Sequence, residues 1–176
     1  MNRRVAVQRI TMMLGGVISA PLMAGILNEK TNHGGFIDPT AEQKLLIAEV
    51  ADVIIPTTTT PGAKAAGAED FIIRVLRDCY ELPAQQQYYK GLGKLDALAK
   101  SKFGKGFVAL STENKNAVVL ETTKVDKPFF KMMKDLTVTA YFTSEIGCTQ
   151  ALDYLPIPGR FEGTWPMPKG QKSWAL

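Results

Sequence analysis

"PFFKMMKDLTVTAYFTSEIG" spans Pro128–Gly147, and its second half can be read two ways. Leu136 to Thr143 alternates apolar and polar residues, which is the period of a half-buried strand. Met132, Leu136, Ala140 and Thr143 recur instead at spacings of three and four, the period of one helix face. Pro128 suits the first turn of a helix, and Gly147 suits its stop. Convincing alternation is found nowhere else in the chain, so the stretch is read as a helix. That reading makes the fold all-α.

Working outward, the same period recurs upstream. "TAEQKLLIAEVADVIIP" has Thr40 as N-cap with Gln43 three residues on, an approximate capping box. Leu46, Ala48, Val50, Val53 and Ile54 supply its apolar spacing, and Pro56 ends it. "TTTTPGAKAAGAE" is a loop; its Lys64 precedes Gly67, and Ala68 follows, so it lacks the order of a phosphate-binding loop. "EDFIIRVLRDCYE" places Phe71, Ile72, Val75, Leu76 and Cys79 on one stripe. "AQQQYYKGLGKLDALAKSKF" does so with Tyr88, Leu92, Leu95, Leu98 and Ala99, although Gly91 and Gly93 weaken a helix by roughly 1 kcal/mol each. Ser111 can cap "TENKNAVVLETTK". The expectation is a small single domain of about five helices over residues 40–155. An irregular tail follows over 156–176, packing by its aromatics or lying on a partner.

The N-terminus differs in kind. Residues 1–24 hold Arg3, Arg4 and Arg9 and no acid, whereas the remaining 152 residues sum to +1. A basic start followed by an apolar run to Leu27 is the layout of an export signal, and Arg3-Arg4 suggests the twin-arginine route. Asn2, Ala6 and Val7 stand where fuller versions of that motif carry a hydroxyl residue and bulky apolar ones. Two outcomes stay open: cleavage, or retention of about 18 apolar residues as an anchor at the lower limit for crossing a bilayer. Residues 28–39 read as a linker. The expected location is the periplasm, with the inner membrane as the holding place if the segment is retained. Membrane contact is expected only through this segment or through a complex. The near-neutral body has no basic run interleaved with aromatics, so nucleic acid is not an expected partner.

Chemistry is sparse. His33 is the only histidine and lies in the linker. Two cysteines cannot complete a four-thiolate site, and neither a haem-attachment motif nor a dinucleotide loop is present. Glu69-Asp70 sits where acids favourably meet a helix dipole. Glu145 and Asp153 form the best carboxylate pair, yet capping or solvated roles suit them better. No catalytic, cofactor-binding or metal-ligating residue is therefore assigned. The densest set of reactive groups lies in "LTVTAYFTSEIGCTQALDYLPIPGRFEG" (136–163), which ends as a loop with two prolines and two glycines.

That stretch resembles the subunit 3 family of gluconate 2-dehydrogenase, as do "VADVIIPTTTTPGAKAAGAEDFI", "VLRDCY" and "GLGKLDALA". The resemblance covers roughly residues 40–165, with Thr58 where the family often has Asp. It implies a non-catalytic small subunit that binds a large flavoprotein of the glucose–methanol–choline class. FAD is then carried by the partner, with haem c in a further cytochrome c subunit in many complexes. It also implies support for the partner's maturation and export. On that basis Tyr141, Glu145, Cys148, Gln150, Tyr154, Arg160 and Phe161 are the expected partner contacts, with Arg3 and Arg4 as the export signal. Phe142, like Tyr141, is either a contact or core. Cys79, on an apolar stripe, is expected to be a buried thiol. Cys148 is expected at the flavoprotein interface, bonded to a cysteine there, or else buried; an internal Cys79–Cys148 bond is disfavoured. The competing readings are a membrane-tethered scaffold and an independent periplasmic enzyme using Glu145 and Tyr141.

Overall fold

A computed structural model describes residues 35–157, 159, 163–164, 166 and 169–175. The leader with Arg3 and Arg4, His33, and Arg160 and Phe161 lie outside the described residues. Among those described there are five α-helices: α1 (Ala41–Ile54), α2 (Ala68–Cys79), α3 (Leu82–Phe103), α4 (Thr112–Val125) and α5 (Lys127–Phe142). None is long and apolar enough to cross a membrane. The all-α expectation holds.

The helix starts follow the sequence signals. The Thr40 hydroxyl accepts the Gln43 N–H at 3.2 Å while the Gln43 side chain accepts the Thr40 N–H at 2.9 Å, a complete capping box. Ser111 accepts from Asn114 at the start of α4. Asp126 accepts from Phe129 at the start of α5, where Pro128 occupies the first turn.

α5, like α1, packs against all four other described helices. It buries Phe129, Met133, Leu136, Thr137, Ala140 and Tyr141. Its inward stripe is therefore turned by about one residue from the expected Met132–Leu136–Ala140–Thr143 line; Met132 is half-buried and Thr143 exposed. The two buried threonines cost little, since the Thr137 hydroxyl donates to Met133 O at 2.8 Å and Thr122 of α4 donates to Val118 O. Gln85, also buried, accepts the Ile37 N–H and donates to Tyr80 O, so its amide is satisfied.

The glycines of α3 have opposite meanings. A Cβ at Gly91 would lie 2.4 Å from the Phe129 ring, so this residue is what lets α5 seat a phenylalanine against α3. Nothing lies within 4 Å of a Cβ at Gly93. The segment after α3 also enters the core unannounced. Gly104, at φ +68°, ends the helix. A single 3₁₀ turn at Phe107–Ala109 then buries Phe107, whose N–H is accepted by Asp96 at 2.9 Å.

An ionic group joins α1, α4 and the loop before α2. Glu49 of α1 accepts from Lys64 at 2.5 Å and from Lys115 of α4 at 2.6 Å. Partial burial pushes the Glu49 carboxyl up, but the two ammonium hydrogen bonds outweigh it and hold it below the usual carboxylate range.

Candidate partner interface

α5 does not stop at Gly147. It ends at Phe142 because Ser144 takes over the Tyr141 carbonyl, donating to it from its N–H at 3.1 Å and from its hydroxyl at 2.6 Å. That carbonyl is thereby unavailable for another helical turn. The same hydroxyl accepts the Gly147 N–H at 3.0 Å. The chain then rewinds into a wide π turn, Gly147–Ala151. Gly147 is needed within that turn because any Cβ there would fall 1.8 Å from Tyr141 O.

Tyr141 is the hinge of this arrangement, and it is a core residue. Its side chain is buried, with the whole residue 2% exposed. Its hydroxyl donates to Pro61 O at 2.8 Å, tying α5 to the loop before α2. This corrects its expected place among accessible contacts. The ring lies under the loop, and its neighbour Phe142 turns outward in an edge-on contact, ring centroids 5.1 Å apart.

After the π turn the chain is held by its own tail. The Asp153 N–H donates to Ser173 O and the Ala175 N–H to Asp153 O, each at 2.9 Å, a parallel bridge pairing Asp153 with Trp174. Lys172 Nζ also donates to Gln150 O. The tail therefore returns to the bundle by its backbone and not by burying its indole: Trp174 is 55% exposed.

Around this bridge the large side chains face solvent. Tyr154 is 56% and Ile157 82% exposed, with Leu155 and Phe142 also exposed and Val138 one turn earlier on α5. Glu145 and Gln150 are exposed and Cys148 is half-buried. The structure thus brings Glu145, Cys148, Gln150 and Tyr154 onto one short segment, removes Tyr141 from it, and adds Leu155, Ile157 and Trp174. The missed residues carried a signal, two aliphatics flanking Pro156 in a Pro–Gly loop, where no helical core can absorb them.

The two thiols are free of each other. Cys79 is exposed, against expectation. The inward line of α2 is Ala68, Ile72 and Leu76; the next place on it falls to half-buried Tyr80, which leaves Cys79 to one side. Cys148 Sγ lies 3.1 Å from Phe142 O, a weak S–H donation at the foot of the exposed segment.

Among the described residues no group of three or more His, Cys, Asp or Glu is placed to hold a metal ion. What the segment offers is an apolar, aromatic surface on a braced turn, the composition of an interface core.

No curated protein and no solved structure matches the chain. Residues 41–159 match the family described as gluconate 2-dehydrogenase subunit 3, a span that takes in every described helix and the exposed segment through Ile157. The chain belongs to the gluconate 2-dehydrogenase subunit 3 family.

Proposed function

We propose that this chain is the non-catalytic small subunit of a periplasmic, FAD-dependent dehydrogenase acting on a sugar or sugar acid. In this reading the segment from Phe142 to Ile157, braced by Trp174, holds the flavoprotein of the glucose–methanol–choline class. Electrons leave the flavoprotein for a cytochrome c subunit bearing haem c. The leader carries the folded pair through the twin-arginine route, and Cys148 sits at the contact, positioned to bond a partner cysteine.

The observation that carries the reading is exposure without local need. Tyr154, Leu155 and Ile157 present three large apolar side chains within four residues, on a turn that Ser144 and the Asp153–Trp174 bridge already fix. Exposed apolar surface of this kind marks a contact site, and family membership makes this a subunit of an oxidoreductase complex.

The test is co-expression of the tagged chain with its flavoprotein. The expected eluate carries a flavin spectrum and sugar-acid-dependent dye reduction, neither of which the chain gives alone. Arg3→Lys with Arg4→Lys should leave both proteins in the cytoplasm. Flavin or turnover in the isolated chain would overturn the non-catalytic assignment. Normal periplasmic activity in the double variant would overturn the export role.

A further inference from the structure

On the helices away from the C-terminal segment, one corner carries an unusual charge. α3 lies against the α4–α5 junction: Gly91 receives Phe129, and Lys94 Nζ reaches Asp126 Oδ2 at 2.8 Å. Residues 90–102 and 120–135 contain eight lysines, no arginine and four carboxylates, a net +4. Each carboxylate is already paired: Asp96 with Lys100, Glu121 with Lys102, Asp126 with Lys94, and Asp135 with Lys134. Lys90, Lys124, Lys127 and Lys131 are exposed and have no ion-pair partner among the described residues. These segments therefore carry as much net charge as the whole chain, +4.

Two exposed aliphatic side chains flank Lys124 along the same stretch of α4. Val125 is 71% and Leu120 65% exposed. Val125 also lines a groove of about 390 Å³ between α3 and α4, together with Leu95, Ala97, Leu98, Lys94 and Asp126. Protein interfaces favour arginine and aromatic anchors and are depleted in lysine. Unpaired lysines together with exposed aliphatic side chains suit the headgroup region of an anionic bilayer. There, ammonium groups meet lipid phosphates and the aliphatics enter the acyl boundary.

We propose that the α3–α4–α5 corner is a peripheral docking surface for anionic phospholipid membranes. Lys90, Lys124, Lys127 and Lys131 meet the headgroups, and Leu120 and Val125 insert beside the groove. This does not rest on the identity of the protein partner. It adds a membrane contact of the helical domain itself, where the sequence pointed only to the leader or to the complex.

The test uses the full chain and vesicles of phosphatidylcholine alone or with phosphatidylglycerol, read by co-sedimentation. The leader is common to every sample, so differences between variants report the corner. The wild type should prefer the anionic vesicles, and added salt should erase the preference. Changing Lys90, Lys124, Lys127 and Lys131 together to Gln should cut it by at least about tenfold, since each surface lysine is worth roughly fivefold. Helix content should be unchanged. Leu120→Ser with Val125→Ser should weaken binding even where salt has screened the charges. Equal binding of both vesicle types, or a quadruple variant that keeps the anionic preference, overturns the proposal. So does a quadruple variant that binds vesicles normally but loses the flavoprotein, which would make the corner a protein contact.

Discussion

The inner face of α5 and the segment that follows it are both rich in large apolar side chains, yet one is buried and the other is not. α5 places Phe129, Met133, Leu136 and Tyr141 among all four other helices. Past Ser144 the chain places Tyr154, Leu155, Ile157 and Trp174 in solvent. Hydrophobicity does not separate the two; available partners do. Tyr141 fills the last site that the helices offer, and its carbonyl is the anchor from which the exposed turn is hung. The fold is complete before the apolar sequence runs out, and the remainder is left exposed.

The contrast is sharpened most strongly at two glycines of one helix. Gly91→Ala pushes a methyl into the Phe129 ring that ties α5 to α3, and overpacking of that kind costs about 1–3 kcal/mol. Gly93→Ala, two residues on with open space around it, should gain up to about 1 kcal/mol from helix propensity. Chemical denaturation of both variants decides. Equal signs would mean that the Gly91–Phe129 contact does not organise the bundle.

Acid should loosen the bundle at Glu49. Its carboxyl is held below the usual range in the folded chain, so its contribution is complete above the unfolded carboxylate range. That contribution is lost as pH falls through the depressed folded value. Glu49→Gln should be less stable at neutral pH, because half-buried Lys115 loses its partner. It should also show a flatter decline between about pH 5 and pH 3. Thermal melts across that range are the measurement; an unchanged acid slope would remove Glu49 from the account.

A smaller effect probes the join between the two regions. Tyr141→Phe removes the donation to Pro61 O while keeping the ring, and should cost about 1 kcal/mol. Because the ring stays buried, partner binding should survive. Loss of the complex in a stably folded Tyr141→Phe would restore Tyr141 to the contact set.

The sequence made the bundle legible because caps and apolar periods are local signals. Thr40 with Gln43, Ser111 and Pro128 each mark a start, and Tyr88, Leu92, Leu95 and Ala99 keep a helical period that burial then uses. What it hid depends on contacts distant in sequence. Gly91 reads as a weak helix residue until Phe129 is seen against it. Gly147 reads as a stop until the Tyr141 carbonyl is placed beside it. Phe107 shows no period at all, being buried by one turn that follows Gly104 and Gly106. Of the residues singled out by type, Tyr154, Gln150 and Glu145 are exposed on the candidate segment. Tyr141 and Cys79 went astray because a one-residue rotation of a stripe decides which side of a helix faces the core.

The central claim is that the exposed segment is kept for a partner and not for the fold. The direct measurement is Leu155→Ser combined with Ile157→Ser, read twice: by the melting temperature of the isolated chain and by the flavoprotein recovered with it from co-expression. Both side chains are solvent-facing, so the stability change should stay within about 0.5 kcal/mol. Recovery of the flavoprotein should fall at least about tenfold, as it does when interface anchors are truncated. Full recovery at unchanged stability would contradict the account.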